Sequence, residues 1–495
     1  AYIVTTCRDF HKTRGSLSES KSTSPATVRD RGGHRVNTID TRRHFLSAGL
    51  AGIAGLGLGT ACTGPLERIG TGTAARNLDV EKVETVTVKI PYRPAPNRAM
   101  SRELPHWRYV ELFRVFLRSG KVGIGETLLY YTWGVSNADH IKRVLGKNAA
   151  NHMWDDGLGA GLQAALFDAV SQTLEVPLYR LLGRKVHDTT PLSWWNIDMS
   201  VEDMAAECKE ALDKGYLSYK TKGRPWFDIW KQVDTAAGVV PDAFKIDMDF
   251  NDTLLTAERG MKIIKDLEKY PQVDIYETPI PQGDIEGNRK IREATRVHIA
   301  MHYGNPAPEV AVREGVCDGF VIGGGASRVM HQGGFATEAG LPFWLQLVGT
   351  GVTAAYSLHF GAVLGQARWP AVNCHQLYTH SMLSKEVEVK DGFAGIPEEP
   401  GLGYELDEDA IEKFRVEKPA RRPDPPRLIE TSWPDGRRMY IANNGQVNFM
   451  LRPGQKGELP YYEPGVDTRL AEDDGSKEWK RLYSEARKGP YLTKA

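Results

Sequence analysis

From about residue 191 onward the chain repeats one pattern, in which a short apolar run is followed by a helical stretch. Strands that alternate with helices at this period indicate parallel βαβ units. Seven or eight units within one stretch of chain predict a (β/α) barrel, whereas a doubly wound open sheet would favour a G-x-G-x-x-G after an early strand, and none is present. The apolar runs are LSWWN (192–196), LSYKTK (217–222), AFKID (243–247), VDIYE (273–277), VHIAM (297–301), GFVIG (319–323), LPFWLQ (341–346) and, more weakly, NCHQLY (373–378).

The region before the barrel has a different pattern. Residues 81–133 alternate between apolar and polar side chains, which predicts antiparallel strands joined by a turn at Ser119-Gly120. Residues 158–182 carry apolar side chains at helical spacing and stop at Gly183. The fold is therefore predicted to be α/β, with an α+β domain over residues 80–185 and a barrel over residues 186–415.

The first 62 residues resemble a leader. Residues 1–40 are polar and rich in Arg, Ser and Thr, so we expect them to be disordered. Residues 41–62 place Arg42 and Arg43 before a short Gly/Ala/Leu run, which predicts a twin-arginine export signal and a periplasmic location. The alternative is a flexible glycine-rich linker. Cys62 is a candidate site for lipid attachment.

The C-terminal extension, residues 416–495, begins with the Pro- and Arg-rich stretch RVEKPARRPDPPRL and shows little periodicity, so we expect it to wrap the surface. The five cysteines have no paired spacing and predict neither a disulfide framework nor a zinc knuckle. The formal net charge is zero, which does not favour a nucleic-acid partner.

Polar side chains stand at the ends of successive predicted barrel strands, where a barrel of this kind places its active site. Lys220 and Lys222 end the second strand, Asp247 the third and Glu277 the fourth, and His302 follows the fifth. Two carboxylates with one further ligand, completed by water, are typical of a divalent-metal site. A surface salt bridge is the alternative for any one of them taken singly.

The ordered motifs over residues 80–415 resemble the enolase superfamily, and most closely its mandelate racemase and muconate lactonizing branch. The motifs that carry the resemblance are QAALFDAVSQTLEVPLYRLLG at the helix entering the barrel, YKTKG, KIDMDFN and YETPIP at three strand ends, GGGASRVMHQGGFATEAGLPF after the sixth strand and PGLGYELDED at the end of the barrel. The resemblance implies an α+β capping domain followed by a (β/α)7β barrel.

The resemblance also implies a chemistry. Members bind a carboxylate substrate on Mg²⁺ and remove the proton α to the carboxylate, giving an enediolate. It implies that Asp247, Glu277 and His302 hold the metal and that Lys222 is the base. Lys220 would lower the pKa of Lys222 and hold the substrate carboxylate.

Several positions depart from the family pattern. His302 stands where an acid is usual, which favours Mn²⁺, Fe²⁺ or Zn²⁺ over Mg²⁺. The sixth strand ends in glycine, the seventh offers Gln346, and the eighth offers Gln376 or His375. Asp249 stands where Asn is usual and is a candidate for an additional metal carboxylate.

Without a clear second base, two-sided racemisation is disfavoured, and we expect a lyase that dehydrates a sugar acid. His375, His380 and Tyr303 are the candidate acids. The alternatives are an isomerase or racemase and an inactive relative that binds a carboxylate. The loop YRPAPNRAMSRELPHWRY is basic, which suits an anionic substrate. We also expect a homo-oligomer.

Overall fold

The computed structural model describes residues 76–130 and 134–493. The predicted disordered segment, the export signal and Cys62 lie outside these residues. No helix within the described ranges combines the length and apolar character needed to cross a membrane.

An antiparallel three-stranded sheet forms the first domain, in the order β1-β2-β3, with the predicted turn at Ser119-Gly120. Its strands and helices are β1 (Val80–Lys89), α1 (Pro94–Glu103), β2 (Tyr109–Leu117), β3 (Val122–Leu128), α2 (Ala138–Val144), α3 (Ala160–Thr173) and α4 (Tyr179–Leu182), with 3₁₀ turns at Pro105–Arg108, Ala149–Asn151 and Asp156–Leu158.

The single helix expected over residues 158–182 is two helices, α3 and α4. Glu175 has φ +57°, in the left-handed region where helices commonly end, and Pro177 has no N–H to donate to a helix. Helix α3 lies very close to β3, and the two glycines of the sequence VGIG make this approach feasible. A Cβ on Gly125 would lie 2.1 Å from the carbonyl oxygen of Gly161.

Eight parallel strands form the predicted barrel, in the order β10-β9-β8-β7-β6-β5-β4-β11. The strands are β4 (Thr189–Trp195), β5 (Ser218–Lys222), β6 (Lys245–Asp249), β7 (Val273–Glu277), β8 (His298–His302), β9 (Gly319–Ile322), β10 (Phe343–Leu345) and β11 (Ala371–Val372), and β12 (Phe393–Gly395) adds to β4 in antiparallel orientation. The sheet is nearly closed. The amide of Gly349 donates to the Asn373 carbonyl and the Asn373 side chain donates to the Leu347 carbonyl, which links the segments after β10 and β11.

Seven helices alternate with these strands, which gives the expected (β/α)7β architecture. They are α5 (Val201–Asp213), α6 (Ile229–Ala237), α7 (Ala257–Leu267), α8 (Ile285–Ala294), α9 (Pro308–Glu314), α10 (Ala326–Glu338) and α11 (Gly351–Val363). Side chains of Ser200, Asp228, Thr256 and Asp284 accept backbone hydrogen bonds at the starts of α5 to α8 and satisfy amides that a helix start leaves free. The expected eighth strand at NCHQLY is instead a 3₁₀ turn, His375–Leu377, which follows the short β11.

The C-terminal extension contains regular structure that its sequence did not indicate. After α12 (Glu408–Phe414), it forms an antiparallel sheet in the order β15-β13-β14-β16. The elements are β13 (Leu428–Ser432), β14 (Arg438–Ala442), α13 (Leu451–Gln455), β15 (Asp467–Ala471), α14 (Lys477–Ala486) and β16 (Tyr491–Thr493).

Candidate active site

The strand register brings the predicted polar residues to one end of the barrel. Lys222 lies opposite Asp249 on β6, and Asp249 lies opposite Glu277 on β7. Residues two apart on a strand face the same side, so Lys220 lies one step deeper than Lys222. Three neighbouring strands therefore present their polar ends at one level of the barrel.

Two lysines and two carboxylates alternate in this cluster. The ammonium of Lys222 contacts the Oδ2 atom of Asp249, and that of Lys220 contacts Oε2 of Glu277. Lys220 Nζ also lies 3.7 Å from Asp249 Oδ2, and His302 Nε2 lies 2.8 Å from Glu277 Oε1. We call these five residues the strand-end cluster.

Burial separates the members of the cluster into two levels. The side chains of Lys220, Asp249 and Glu277 are each 1% exposed, whereas Lys222 is 15% exposed and His302 is 22% exposed. Lys222 and His302 are therefore the members that a small molecule at the barrel mouth would meet.

The two lysines differ in their electrostatics. Burial lowers the pKa of Lys222 below its ordinary value, and the charge of Lys220 lowers it further, against the opposing effect of Asp249. Burial acts in the same direction on Lys220, but the charges of Glu277 and Asp249 outweigh it and raise that pKa. The pKa of Lys222 is lowered, as expected from the sequence, although burial contributes more to this shift than the neighbouring ammonium of Lys220 does.

Glu277 is held in its ionised form. Burial alone would raise its pKa, but the charges of Lys220 and His302 bring the pKa of this carboxyl well below its usual range. The carboxylate is thus a fixed negative charge at the centre of the cluster.

Asp247 is the predicted site residue that the structure does not bring into the cluster. It lies two residues below Asp249 on the same side of β6, where the hydroxyl of Ser218 donates to its Oδ2 atom over 3.1 Å. Burial, reinforced by the charge of Asp274, raises the pKa of Asp247 well above its ordinary value. Asp249 occupies the place that the sequence analysis gave to Asp247. The family motif on this strand is Asp-x-Asn, and the sequence analysis aligned it with Asp247-Met248-Asp249. Asp249-Phe250-Asn251 matches the motif at both ends, and this was the signal that was missed.

The strand-end cluster offers donors of the kind that a divalent cation uses. Asp249, Glu277 and His302 supply two carboxylates and an imidazole, and neither oxygen of Glu277 has a hydrogen bond of good geometry. Within the described parts of the chain, no three side chains of His, Cys, Asp or Glu already surround a point suited to an ion. The ligand types therefore suit a divalent metal. Lys220 and Lys222 lie against the same carboxylates, so both ammonium groups must move away before an ion can bind.

Two further residues near the cluster were not singled out from the sequence. Burial, followed by the charge of Asp249, raises the pKa of Asp252 to about 6, and the Asp252 amide donates over 2.9 Å to the carbonyl of Thr278, the residue after Glu277. Cys374 is buried and lies within the electrostatic influence of both lysines.

The remaining strand ends carry the departures expected from the sequence. The sixth strand is followed by Gly323, and Gln346 after β10 accepts a 3.3 Å hydrogen bond from Lys220. His375 is instead hydrogen bonded to Tyr216 at 3.0 Å, and Gln376 donates to the Ser193 carbonyl.

The other two candidate acids have partners elsewhere. Tyr303 packs against Phe320 and Phe335, and His380 lies 3.3 Å from Asp407.

The basic loop of the first domain is tied to the barrel. Arg93 pairs with Glu207 and Glu210, Arg98 with Asp203, and Arg102 with Glu103 and Asp198, while Trp107 stacks on Trp195 at 5.6 Å. The arginines that the sequence suggested for an anionic substrate therefore join the two domains in this structure.

The fold and the site define a class of protein, a barrel protein with a capping domain and a polar site at the carboxyl ends of its strands. Residues 203–410 match the family model described as enolase C-terminal domain-like. This match and the relatives below support placing the barrel in the enolase superfamily, in its mandelate racemase and muconate lactonizing branch. Members of this superfamily use a divalent metal, typically Mg²⁺.

Relatives with assigned activities are dehydratases, racemases and cycloisomerases, consistent with a lyase or isomerase. An arabinonate dehydratase of Saccharolobus solfataricus is 23% identical over 60% of this chain and 88% of its own length. An N-succinylamino acid racemase of Thermus thermophilus is 25% identical over 62% of this chain and 90% of its own. The crystal structure of muconate cycloisomerase from Pseudomonas fluorescens shares the fold, with a TM-score of 0.56 and 22% identity over 69% of this chain and 99% of that one.

Proposed function

We propose that this protein is an enzyme that removes the proton α to the carboxylate of a small acid, and that the overall reaction is dehydration of a sugar acid. The observation that carries the proposal is the placement of Lys222. It is the more exposed lysine of the pair, it ends a barrel strand, and it lies beside Asp249 and above the buried Lys220–Glu277 ion pair. Sugar-acid dehydratases are among the relatives.

Lys222 acts as the base in this proposal. Its neutral amine takes the α-proton, and the electron pair of the broken C–H bond forms the enediolate. Return of that proton from Lys222 to the hydroxyl on the next carbon breaks the C–O bond and releases water. One residue then serves as base and acid, which suits a site whose sixth and seventh strands end in Gly323 and Gln346.

We propose that Asp249, Glu277 and His302 would hold a divalent ion, with Mn²⁺ or another transition metal favoured by the imidazole and Mg²⁺ indicated by the family. When bound, such an ion supplies a positive charge that stabilises the enediolate. The residues of the chain keep their own roles: Lys222 moves the proton, and Lys220 keeps the Glu277 carboxylate ionised.

A screen in D₂O tests the proposal. Full-length protein is incubated with Mn²⁺ and a panel of sugar acids, and proton NMR follows loss of the α-proton and appearance of a 2-keto-3-deoxy acid. Deuterium uptake together with the keto acid supports the dehydratase. Deuterium uptake without water loss would instead support the isomerase or racemase. Binding without any exchange would support the inactive relative that holds a carboxylate.

We further propose that the chain is exported through the twin-arginine route and that it assembles as a homo-oligomer. The support for export is the Arg42-Arg43 pair before a short apolar run. Its partners would then be the export machinery and a small anionic substrate.

A further inference from the structure

The C-terminal extension lies against the two loops that follow strands β5 and β6, the strands that end in Lys222 and Asp249. We define the β5 loop as residues 223–228 and the β6 loop as residues 250–256. The muconate cycloisomerase of Pseudomonas fluorescens is matched over 99% of its length by 69% of this chain, and the matched family model ends at residue 410. The extension therefore adds structure beyond the part of the chain that the family model describes.

The β5 loop inserts into the hydrophobic core of the extension. Trp226 and Phe227 are each 1% exposed and pack in one cluster with Trp433 and Phe449 of the extension. The Thr468 hydroxyl donates to the Trp226 carbonyl over 2.6 Å, and the amide of Asp228 donates to the Val466 carbonyl over 2.9 Å. The loop that follows Lys222 is thus fixed by residues from the end of the chain.

Tyr462 joins the two loops at the residues next to the strand-end cluster. Its hydroxyl donates to the Gly223 carbonyl over 3.1 Å and lies 2.6 Å from the hydroxyl of Thr253. Thr253 in turn donates to the Phe250 carbonyl over 2.6 Å. Gly223 follows Lys222 directly and Phe250 follows Asp249 directly. The buried phenol of Tyr462 therefore holds the backbone next to both members of the Lys222–Asp249 ion pair.

Backbone hydrogen bonds connect the starts of these two loops to the neighbouring barrel strands. The amide of Gly223 donates to the Asp249 carbonyl, and the amide of Phe250 donates to the Glu277 carbonyl, each over 3.0 Å. A shift of either loop would therefore change the spacing between the ends of β5, β6 and β7.

A buried arginine network gives an independent link. Arg224 donates to the carbonyls of Asp249 and Phe250 and to the Asn251 side chain, at 2.6 to 3.2 Å. Arg427 of the extension donates to the backbone carbonyls of Arg102 and Glu103 in the first domain. Arg102 pairs with Asp198, and Asp198 lies 3.8 Å from Arg224, so the network connects the extension, the first domain and the barrel mouth.

We propose that the C-terminal extension is a working part of the active site, and that Tyr462 is a positioning residue that sets the spacing of Lys222 and Asp249. An error of about 1 Å in the placement of catalytic groups costs a large factor in rate even when substrate still binds. The catalytic half of this inference rests on the proposed function, whereas the positional half does not.

Tyr462→Phe tests the inference in the full chain, because it removes only the hydroxyl. Tyr483→Phe is the matched control: its hydroxyl donates to the Asn443 side chain within the extension, outside the β5 and β6 loops. We expect hydrogen–deuterium exchange at the Gly223 and Phe250 amides to rise at least 10-fold in Tyr462→Phe, with the amides of β8 unchanged, and no such rise in the control. An unchanged rate at these two amides, or an equal rise throughout the barrel, would overturn the proposal.

Kinetics with the acid found in the D₂O screen provide the second readout. We expect Tyr462→Phe to lower kcat about 10-fold with KM within about 2-fold, because the phenol affects spacing and not substrate contact. Equal losses in both variants, or an unchanged kcat, would overturn the catalytic half. If the wild type catalyses no α-proton exchange with any acid, the proposed function fails. Hydrogen–deuterium exchange at the Gly223 and Phe250 amides then decides by itself whether Tyr462 fixes the two loops. Thr253→Val removes the same link and replaces Tyr462→Phe should that variant not fold.

Discussion

The Nε2 atom of His302 lies 2.8 Å from Oε1 of Glu277, at the point where the family carries an acid. This contact places an imidazole beside Glu277, and Asp249 lies opposite the same residue on the neighbouring strand, which supports our proposal that these three side chains hold a metal. Asp247 lies below these residues and is hydrogen bonded to Ser218. Substitution of each aspartate in turn can therefore distinguish their roles in metal binding.

We expect Asp249→Asn to weaken Mn²⁺ binding by about 10-fold or more and Asp247→Asn to leave it within about 2-fold, because only Asp249 reaches the cluster. His302→Asp should shift the preference from Mn²⁺ toward Mg²⁺, since an oxygen replaces nitrogen. Isothermal titration calorimetry of the purified chain measures all three. Equal losses for both aspartate variants would mean that the metal uses Asp247 as first predicted.

Lys222→Met should lower α-proton exchange by about 10²- to 10⁴-fold while Mn²⁺ binding is retained, because a positioned base contributes a factor of this size. Lys231→Met is the control, since Lys231 is 62% exposed on helix α6. The measurement is deuterium incorporation by NMR. Undiminished exchange in Lys222→Met would remove this residue as the base.

Gly125→Ala should reduce the free energy of unfolding by about 2 kcal/mol or more, because its Cβ would meet the Gly161 carbonyl oxygen at 2.1 Å. Gly334→Ala is the contrasting variant: its Cβ would meet nothing within 4 Å on helix α10, so a gain of about 0.5 to 1 kcal/mol is expected. Urea denaturation checks both. Similar stabilities for the two variants would contradict the close approach of β3 and α3.

His359 should make stability depend on pH. It is buried and neutral in the fold, where Nδ1 accepts from the Tyr179 amide and Nε2 faces the Leu402 carbonyl at 3.1 Å. Burial lowers its pKa from 6.5 to about 4. The folded-state pKa is thus below the unfolded one, so this stability is present above pH 6.5 and is lost as pH falls through 4; the loss is about 3 kcal/mol.

His359→Gln should therefore flatten the fall in unfolding free energy between pH 7 and pH 4, because glutamine does not titrate. The exposed His331 provides the control variant His331→Gln, which should retain the wild-type slope. Denaturation curves at several pH values measure the slopes. Parallel profiles for wild type and His359→Gln would show that other groups set the acid sensitivity.

Replacing Arg42 and Arg43 together by lysine should leave the chain inside the cell, because the paired arginines define the proposed export signal. Cell fractionation and immunoblotting measure the distribution, and Arg29→Lys, outside the pair, is the control. Export of the double variant at the wild-type level would argue for the linker alternative.

The sequence by itself determined the barrel and the identity of most of the cluster. Apolar runs alternating with helical stretches specify βαβ units whatever the details of packing, and one polar residue per strand end identified Lys220, Lys222, Glu277 and His302. The same pattern also indicated that Gln346 would lie near them, and its side-chain oxygen accepts a hydrogen bond from Lys220.

The tertiary structure decided what local pattern does not encode. Asp247 and Asp249 have the same side-chain direction on one strand and each begins an acceptable local motif, and the cross-strand register shows that it is Asp249 that lies opposite Lys222 and Glu277. The strands of the extension are five residues or fewer, too short to be evident from periodicity. They are stabilised by pairing between distant segments and by packing against Trp226 and Phe227 of the barrel. Spacing along the chain specifies elements, whereas contacts between distant residues specify which of their side chains meet.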